Sequence, residues 1–191
     1  NKLIVCLDAG HGGKDNGSDY RLRYEKNDNL KITQAVAAYL ADKEDVQVIM
    51  TRSDDTFLSL EERTTFANQN NADYFVSLHR NTGEGNGVET WIRSDADDKA
   101  QALAQNIMDN LDAAGISRNR GVKKGTQKSE SKDYYVNLHT NMPACIVELG
   151  FMNSPTDNQL FDANIDSYAK AIGDAAVSYT HLRAHETGAY L

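Results

Sequence analysis

Three apolar runs of this chain each lead into a residue that can bind a metal or move a proton. They are Asp8-Ala9-Gly10-His11, Ser77-Leu78-His79 and Ile146-Val147-Glu148. In an open α/β sheet the crevice outside the carboxyl ends of the strands is where ligands bind, so polar groups placed just there converge while their apolar neighbours stay in the core. Two imidazoles suit zinc, whose catalytic sites keep three protein ligands and one position open for water. A third donor would come from the segment after His11, where Asp15, Asp19, Glu25 and Asp28 all qualify by type. Spacing does not choose among them. Glu25 is the best placed, because it precedes a helical segment that would hold it rigidly, and Asp28 is better used as that helix's cap.

The elements that must position these residues follow from hydrophobic pattern. Val-, Ile- and Phe-rich runs at Lys2–Asp8, Val46–Thr51, Tyr74–Leu78, Gly87–Ile92 and Ala144–Leu149 read as strands. They alternate with helical periods, which predicts an α/β fold: a mixed, largely parallel twisted sheet with helices on both faces. The first helix is expected over Asp28–Lys43. A second starts at Ser59-Leu60-Glu61-Glu62, whose serine and glutamate three apart form a capping box. A third spans about Asp97 to Ala114, with Gly115 as its left-handed stop. Ser154-Pro155 opens a short helix by cap and first-turn proline, and Ile165, Tyr168, Ala169 and Ile172 mark a final helix. Gly121–Lys132, rich in Lys, Ser and Gly, reads as an exposed loop.

With 191 residues and 40% hydrophobic content the chain fits one domain with its own core. The formal net charge of −8 gives no footprint for duplex nucleic acid or for an anionic membrane surface. No apolar run reaches the ~18 residues of a membrane span, so membrane insertion is not expected. Lys2-Leu3-Ile4-Val5 reads at once as a strand, so any targeting segment is expected to lie outside this chain. Cys6 and Cys145 sit within strand-like runs and should be buried free thiols. The stretch Ala176–Leu182 resembles the translation of a sequencing adaptor. The domain is therefore expected to be 1–176, with 177–191 a non-native or disordered tail whose His181 and His185 are not counted as ligands.

Leu7-Asp8-Ala9-Gly10-His11-Gly12-Gly13-Lys14-Asp15-Asn16-Gly17-Ser18 resembles the opening motif of zinc-dependent N-acetylmuramoyl-L-alanine amidases of the AmiC and LytC type. Similar blocks follow in order: Tyr24–Leu30, Ser59–Arg63, Ser77–Asn81, Gly87–Thr90 and Met142–Phe151. The resemblance covers about residues 2–176. It implies a fold like that of zinc exopeptidases and phosphorylase-hydrolases, one Zn2+ held by His11, Glu25 and His79, and Glu148 as the catalytic glutamate. Peptidoglycan is the implied substrate, and the cell envelope, periplasm or wall, the implied location of a monomeric catalytic domain. Asn81, Arg80 and Arg63 are candidate substrate contacts. Two residues depart from the family pattern: Arg80, expected to narrow or recharge the cleft, and His139, read as a surface side chain. The few residues between His79 and Gly87 leave no room for the inhibitory helix that some relatives insert, so the site is expected to be open.

Other readings are weaker. Gly10-His11-Gly12-Gly13 after a strand suggests a phosphate loop, but neither the dinucleotide spacing nor a Lys-Ser/Thr ending is present. A wall-binding module that has lost its chemistry would not need all four polar groups. Ser nucleophile chemistry lacks a Gly-x-Ser-x-Gly elbow, and both cysteines read as buried. A different metallopeptidase specificity, such as a carboxypeptidase, would share the same ligands.

Overall fold

The computed structural model of the chain describes residues 1–128 and 130–188. Its elements are β1 Leu3–Ala9, β2 Asp19–Tyr20, β3 Arg23–Tyr24, α1 Glu25–Leu40, β4 Val46–Met50, α2 Leu60–Gln69, β5 Tyr74–Asn81 and β6 Val88–Ile92. After these come α3 Asp98–Ala114, β7 Asn119–Lys124, α4 Tyr135–His139, β8 Ala144–Phe151, α5 Pro155–Ala163 and α6 Ile165–Gly188. The main sheet has six strands in the order β4-β1-β5-β8-β6-β7. Four of them are parallel; β6 runs antiparallel to β8 and β7 follows β6 in parallel. The expected mixed, largely parallel sheet with helices on both faces is therefore what forms.

Because successive side chains of a strand point to opposite faces, each central strand serves two environments. Val5, Leu7, Val76, Leu78 and Val147 pack with Ile32 and Val36 of α1, Leu103 and Ile107 of α3, and Tyr168 and Ile172 of α6 in the larger core. On the other face Cys6, Phe75, Trp91 and Ile146 pack with Ala67 of α2 and Val136 of α4 in a smaller one. Both cysteines are buried and free. Among the described residues no helix is long and apolar enough to cross a membrane.

The caps read from sequence are present at α2 and α5, as is the glycine stop of α3, to which the structure adds an N-cap. Ser59 and Glu62 form the reciprocal box, Asp97 caps α3 with Gly115 at φ 104° closing it, and Ser154 caps α5 ahead of Pro155. Three expectations need correction. Helix α1 starts at Glu25, and Asp28 is not its cap: it lies inside the first turn with its carboxylate held by Arg23 and Arg80. Two guanidiniums outbid the backbone for that side chain. Strands β5 and β8 continue past His79 and Glu148 by two and three residues, so these two groups sit within strands and not at their ends. Part of the expected Gly121–Lys132 loop is edge strand β7, whose Arg120, Lys123 and Lys124 give it the charged face typical of an edge and hide its period. Helix α6 is described to Gly188, while Ala189–Leu191 and the side chains of His181 and His185 lie outside the described residues.

Candidate metal centre

The site lies on the face of the smaller core. Chain direction reverses after β1 through Gly10, His11 and Gly12, and His11 adopts the left-handed φ of 61°, which costs a non-glycine residue of order 1 kcal/mol or more. The surrounding structure enforces it. The Nη2 group of Arg63 donates to the His11 carbonyl at 2.8 Å, Gly12 and Asp15 exchange backbone hydrogen bonds, and Arg52 donates to the carbonyls of Ala9 and Gly10. Buried arginines thus satisfy the carbonyls of a turn that no regular element could.

Three donors meet there. His11, Glu25 and His79 each offer a ligand atom, and these atoms all lie within 4.8 Å of one another. His11 Nε2 is 3.3 Å from one Glu25 oxygen, His79 Nδ1 is 3.0 Å from the other, and the two rings stand edge to face at 5.2 Å. Glu25, as the first residue of α1, also accepts from the backbone of Ser18 and Arg80 and from the Asn29 amide. Its burial would raise the carboxyl pKa, but hydrogen bonds and charge from His11 and His79 prevail and hold it far below the usual range. His11 is the mirror case: burial favours its neutral form, and Glu25 and Asp15 pull its pKa up. Of the other acidic residues after His11, Asp15 is an orienting partner, 2.7 Å from His11 Nδ1. Imidazole ligands need such a partner on the second nitrogen.

Glycine is required around this cluster. A Cβ on Gly10 would lie 2.1 Å from the His79 ring, and one on Gly17 2.7 Å from a Glu25 oxygen. The donors, two imidazoles and a carboxylate whose ligand atoms lie within 4.8 Å of one another, are those zinc takes.

Glu148 stands beside His79 in register on the neighbouring parallel strand, and opposite Glu89 of β6. Its Oε2 is sealed from solvent and has no hydrogen-bond partner. Burial, followed by the charges of Glu25 and Glu89, pushes its pKa well above the ordinary carboxyl value. All four groups face one cavity of about 950 Å³, walled by Phe57 and Leu60 on one side and Tyr135 and Leu138 on the other.

The candidate substrate contacts fare differently. Arg80 follows His79 and therefore points to the opposite face, where its fully buried guanidinium pairs with Asp28 at 2.7 Å and Asn158 and stacks on Phe161. Its side chain does not enter the cleft, but its positive charge still acts on Glu148, against the rise that burial imposes there. Arg63 is likewise turned inward onto Asp8 and the carbonyls of Ala9, His11 and Leu58. All three border the cavity, and Asn81 does so with an amide that donates to Glu89. His139 is exposed and its ring lies 4.0 Å from that of Tyr135. Two residues went unread in the sequence: Ser77 and Asp8, which bond each other at 2.7 Å directly behind His79. Alternation was the available signal, since Ser77, two before His79, must share its face.

Fold and donor set define a class: an α/β domain whose mixed sheet carries a His–Glu–His group able to hold a metal ion, with a free acid beside it. Residues 5–178 match the family model Amidase_3, N-acetylmuramoyl-L-alanine amidase. The chain belongs to that amidase family. It is 36% identical over 177 residues to YqiI of Bacillus subtilis, covering 91% of this chain and 81% of that protein. It is 32% identical over 165 residues to the probable cell wall amidase LytH of Staphylococcus epidermidis, of which it spans about half, 51%. Among solved structures, an N-acetylmuramoyl-L-alanine amidase from Clostridium difficile 630 superposes with a TM-score of 0.87 at 34% identity, covering 95% of this chain and 98% of that one. The catalytic domain of CwlV, an amidase from Paenibacillus polymyxa, gives 0.84 at 30% identity, with 94% and 98% covered.

Proposed function

We propose that this chain is a zinc-dependent peptidoglycan hydrolase that cuts the amide bond between N-acetylmuramic acid and L-alanine of the stem peptide. One observation carries the reading: three ligand atoms from His11, Glu25 and His79 converge within 4.8 Å while the neighbouring Glu148 presents a buried oxygen with no partner. Family membership supplies the substrate class. The catalytic domain is residues 1–176, acting at the cell envelope as a monomer on the peptidoglycan.

Bound zinc would supply Lewis-acid chemistry, polarising a carbonyl and lowering the pKa of water to about 7. Glu148 takes a proton from the attacking water and returns it to the departing amine nitrogen, a double task that suits a carboxyl whose pKa is raised. Asp15 holds His11 through its second nitrogen, and α1 fixes Glu25. Asn81, at the cavity floor, is the candidate contact for the substrate carbonyl or sugar. The connection from Asn81 to Val88 is short, so the reading includes access without a displaced helix.

Digestion of purified cell wall tests this. The expected products are new alanine amino groups without new reducing sugars, a chelator stops the reaction, and about one zinc per chain restores it. New reducing ends, or undiminished digestion after metal removal, would overturn the reading.

A further inference from the structure

One buried ion pair stands behind both imidazoles. Asp8 and Arg63 meet at 2.9 Å with side chains almost wholly inaccessible. On one side Arg63 donates to the His11 carbonyl at 2.8 Å. On the other, Asp8 Oδ2 lies 2.7 Å from Ser77 Oγ, which in turn lies 3.0 Å from His79 Nε2. The second Asp8 oxygen, Oδ1, accepts from Thr51 Oγ1 at 2.6 Å and from the Arg63 guanidinium. Taking the metal reading above as its basis, we infer that Asp8 and Ser77 are positioning residues that fix the ring proton of His79 on Nε2 and so leave Nδ1 as its metal donor.

The argument is a count of protons. A carboxylate paired with arginine only accepts, and a serine hydroxyl has a single proton to give. Asp8 takes it, so Ser77 Oγ can only accept from its other neighbour, which requires N–H at His79 Nε2. A neutral imidazole carries one such proton. With a metal ion taking up the Glu25 carboxylate, the lone pair would therefore be on Nδ1, the atom that faces Glu25 at 3.0 Å. Buried carboxylate–hydroxyl–imidazole order is thus set by the charge at its far end, and second-sphere partners of this kind are worth about 10–100-fold in metal affinity.

Reversing that end should reverse the relay. In Asp8→Asn, Arg63 and Thr51 keep the amide oxygen on their side, so the NH2 group faces Ser77. Ser77 must accept it and donate to Nε2, which drives the ring proton to Nδ1. Ser77→Ala removes the acceptor without imposing the wrong tautomer. The experiment loads the protein with cadmium, uses isotope-labelled histidine, and reads which ring nitrogen couples to the metal, with His79 assigned by loss of its signal in His79→Ala. Zinc affinity is measured in parallel by competition with a chelator, and folding by circular dichroism.

In the wild type, cadmium should couple to His79 Nδ1. Ser77→Ala should lose roughly tenfold in zinc affinity and Asp8→Asn nearer a hundredfold, with a changed His79 signature. Coupling to Nε2 in the wild type would overturn the inference, as would a folded Ser77→Ala that binds zinc like the wild type. If Asp8→Asn fails to fold, the wild-type coupling and Ser77→Ala still decide. A wild-type chain that takes up neither metal would instead overturn the metal reading, and this inference with it.

Discussion

The two faces of the central sheet are filled by the same strands under opposite rules. Toward α1, α3 and α6 the strands send Val5, Leu7, Val76, Leu78 and Val147 into a continuous apolar core, in which Arg80 is admitted only with Asp28 and Asn158 to satisfy it. Toward α2 and α4 the same strands send Asp8, Ser77, His79, Asn81, Glu89 and Glu148. Nearly every one of these is bonded to another protein group, with Glu148 the exception. The first face stabilises by burial of apolar area, at ~25 cal/mol per Å². The second spends stability on a group left unsatisfied so that it can do chemistry.

That contrast can be broken at either face. Glu148→Gln keeps size and burial but removes the proton acceptor, and wall digestion should fall about 10²–10⁴-fold. Its melting temperature should be no lower than that of the wild type, because the substitution removes a carboxyl that burial disfavours. Unaltered digestion with zinc still bound would remove Glu148 from the mechanism. Leu78→Ala, one residue from His79 but on the other face and wholly buried, should do the reverse. A cost of about 2–5 kcal/mol in denaturant unfolding is expected, with activity per folded molecule retained. If Leu78→Ala instead abolished metal binding in folded protein, the two faces would not be separable.

How far the sequence carried this picture depends on the same alternation. The apolar strands were legible because both neighbours of a buried parallel strand are apolar, and caps such as Ser59–Glu62 are local and need no tertiary context. Extents were misjudged at β5 and β8 because a polar residue inside a strand looks like its end. His79 and Glu148 are polar for function, and the strands continue beyond them. Arg80, one residue past His79, borders the cavity but sends its guanidinium to the opposite face, which strand alternation alone would indicate. Strand β7 was hidden by its charged edge, and the two-residue strands β2 and β3 are too short to leave a pattern. The donor residues were legible as types, but residue chemistry left Asp15, Asp19, Glu25 and Asp28 open as third ligand; the family resemblance pointed to Glu25, and the fold brings its carboxylate between the imidazoles.

Acid should sharpen the comparison with a smaller effect. Burial alone would raise the pKa of Asp8, but Arg63 and the hydroxyls of Thr51 and Ser77 outweigh it and the net shift is downward. A carboxyl depressed in the folded state contributes stability that is present above its unfolded value, about 3.9, and lost as pH falls through the folded one. Metal-free protein should therefore lose stability below about pH 4, and Asp8→Asn should flatten that slope in urea melts. A wild-type slope unchanged in Asp8→Asn would mean that other carboxylates carry it.

The smallest effect reaches the site face through a helix end. Ser59 Oγ accepts from the Glu62 backbone at 3.1 Å and Glu62 returns the bond to the Ser59 backbone at 3.0 Å, closing the first turn of α2. Arg63 is the fourth residue of that helix, and its guanidinium reaches Asp8 and the His11 carbonyl. Ser59→Ala should cost about 1 kcal/mol, which lowers the melting temperature by roughly 2–4 °C in a chain of this size. Ser59→Asp, which restores an acceptor, should recover most of it. A frayed first turn also loosens the anchor of Arg63, so zinc affinity should weaken slightly in Ser59→Ala and return in Ser59→Asp. A lowered melting temperature with zinc affinity unmoved would show that the contacts of Arg63 hold the turn without help from the cap, making the site face rigid on its own account.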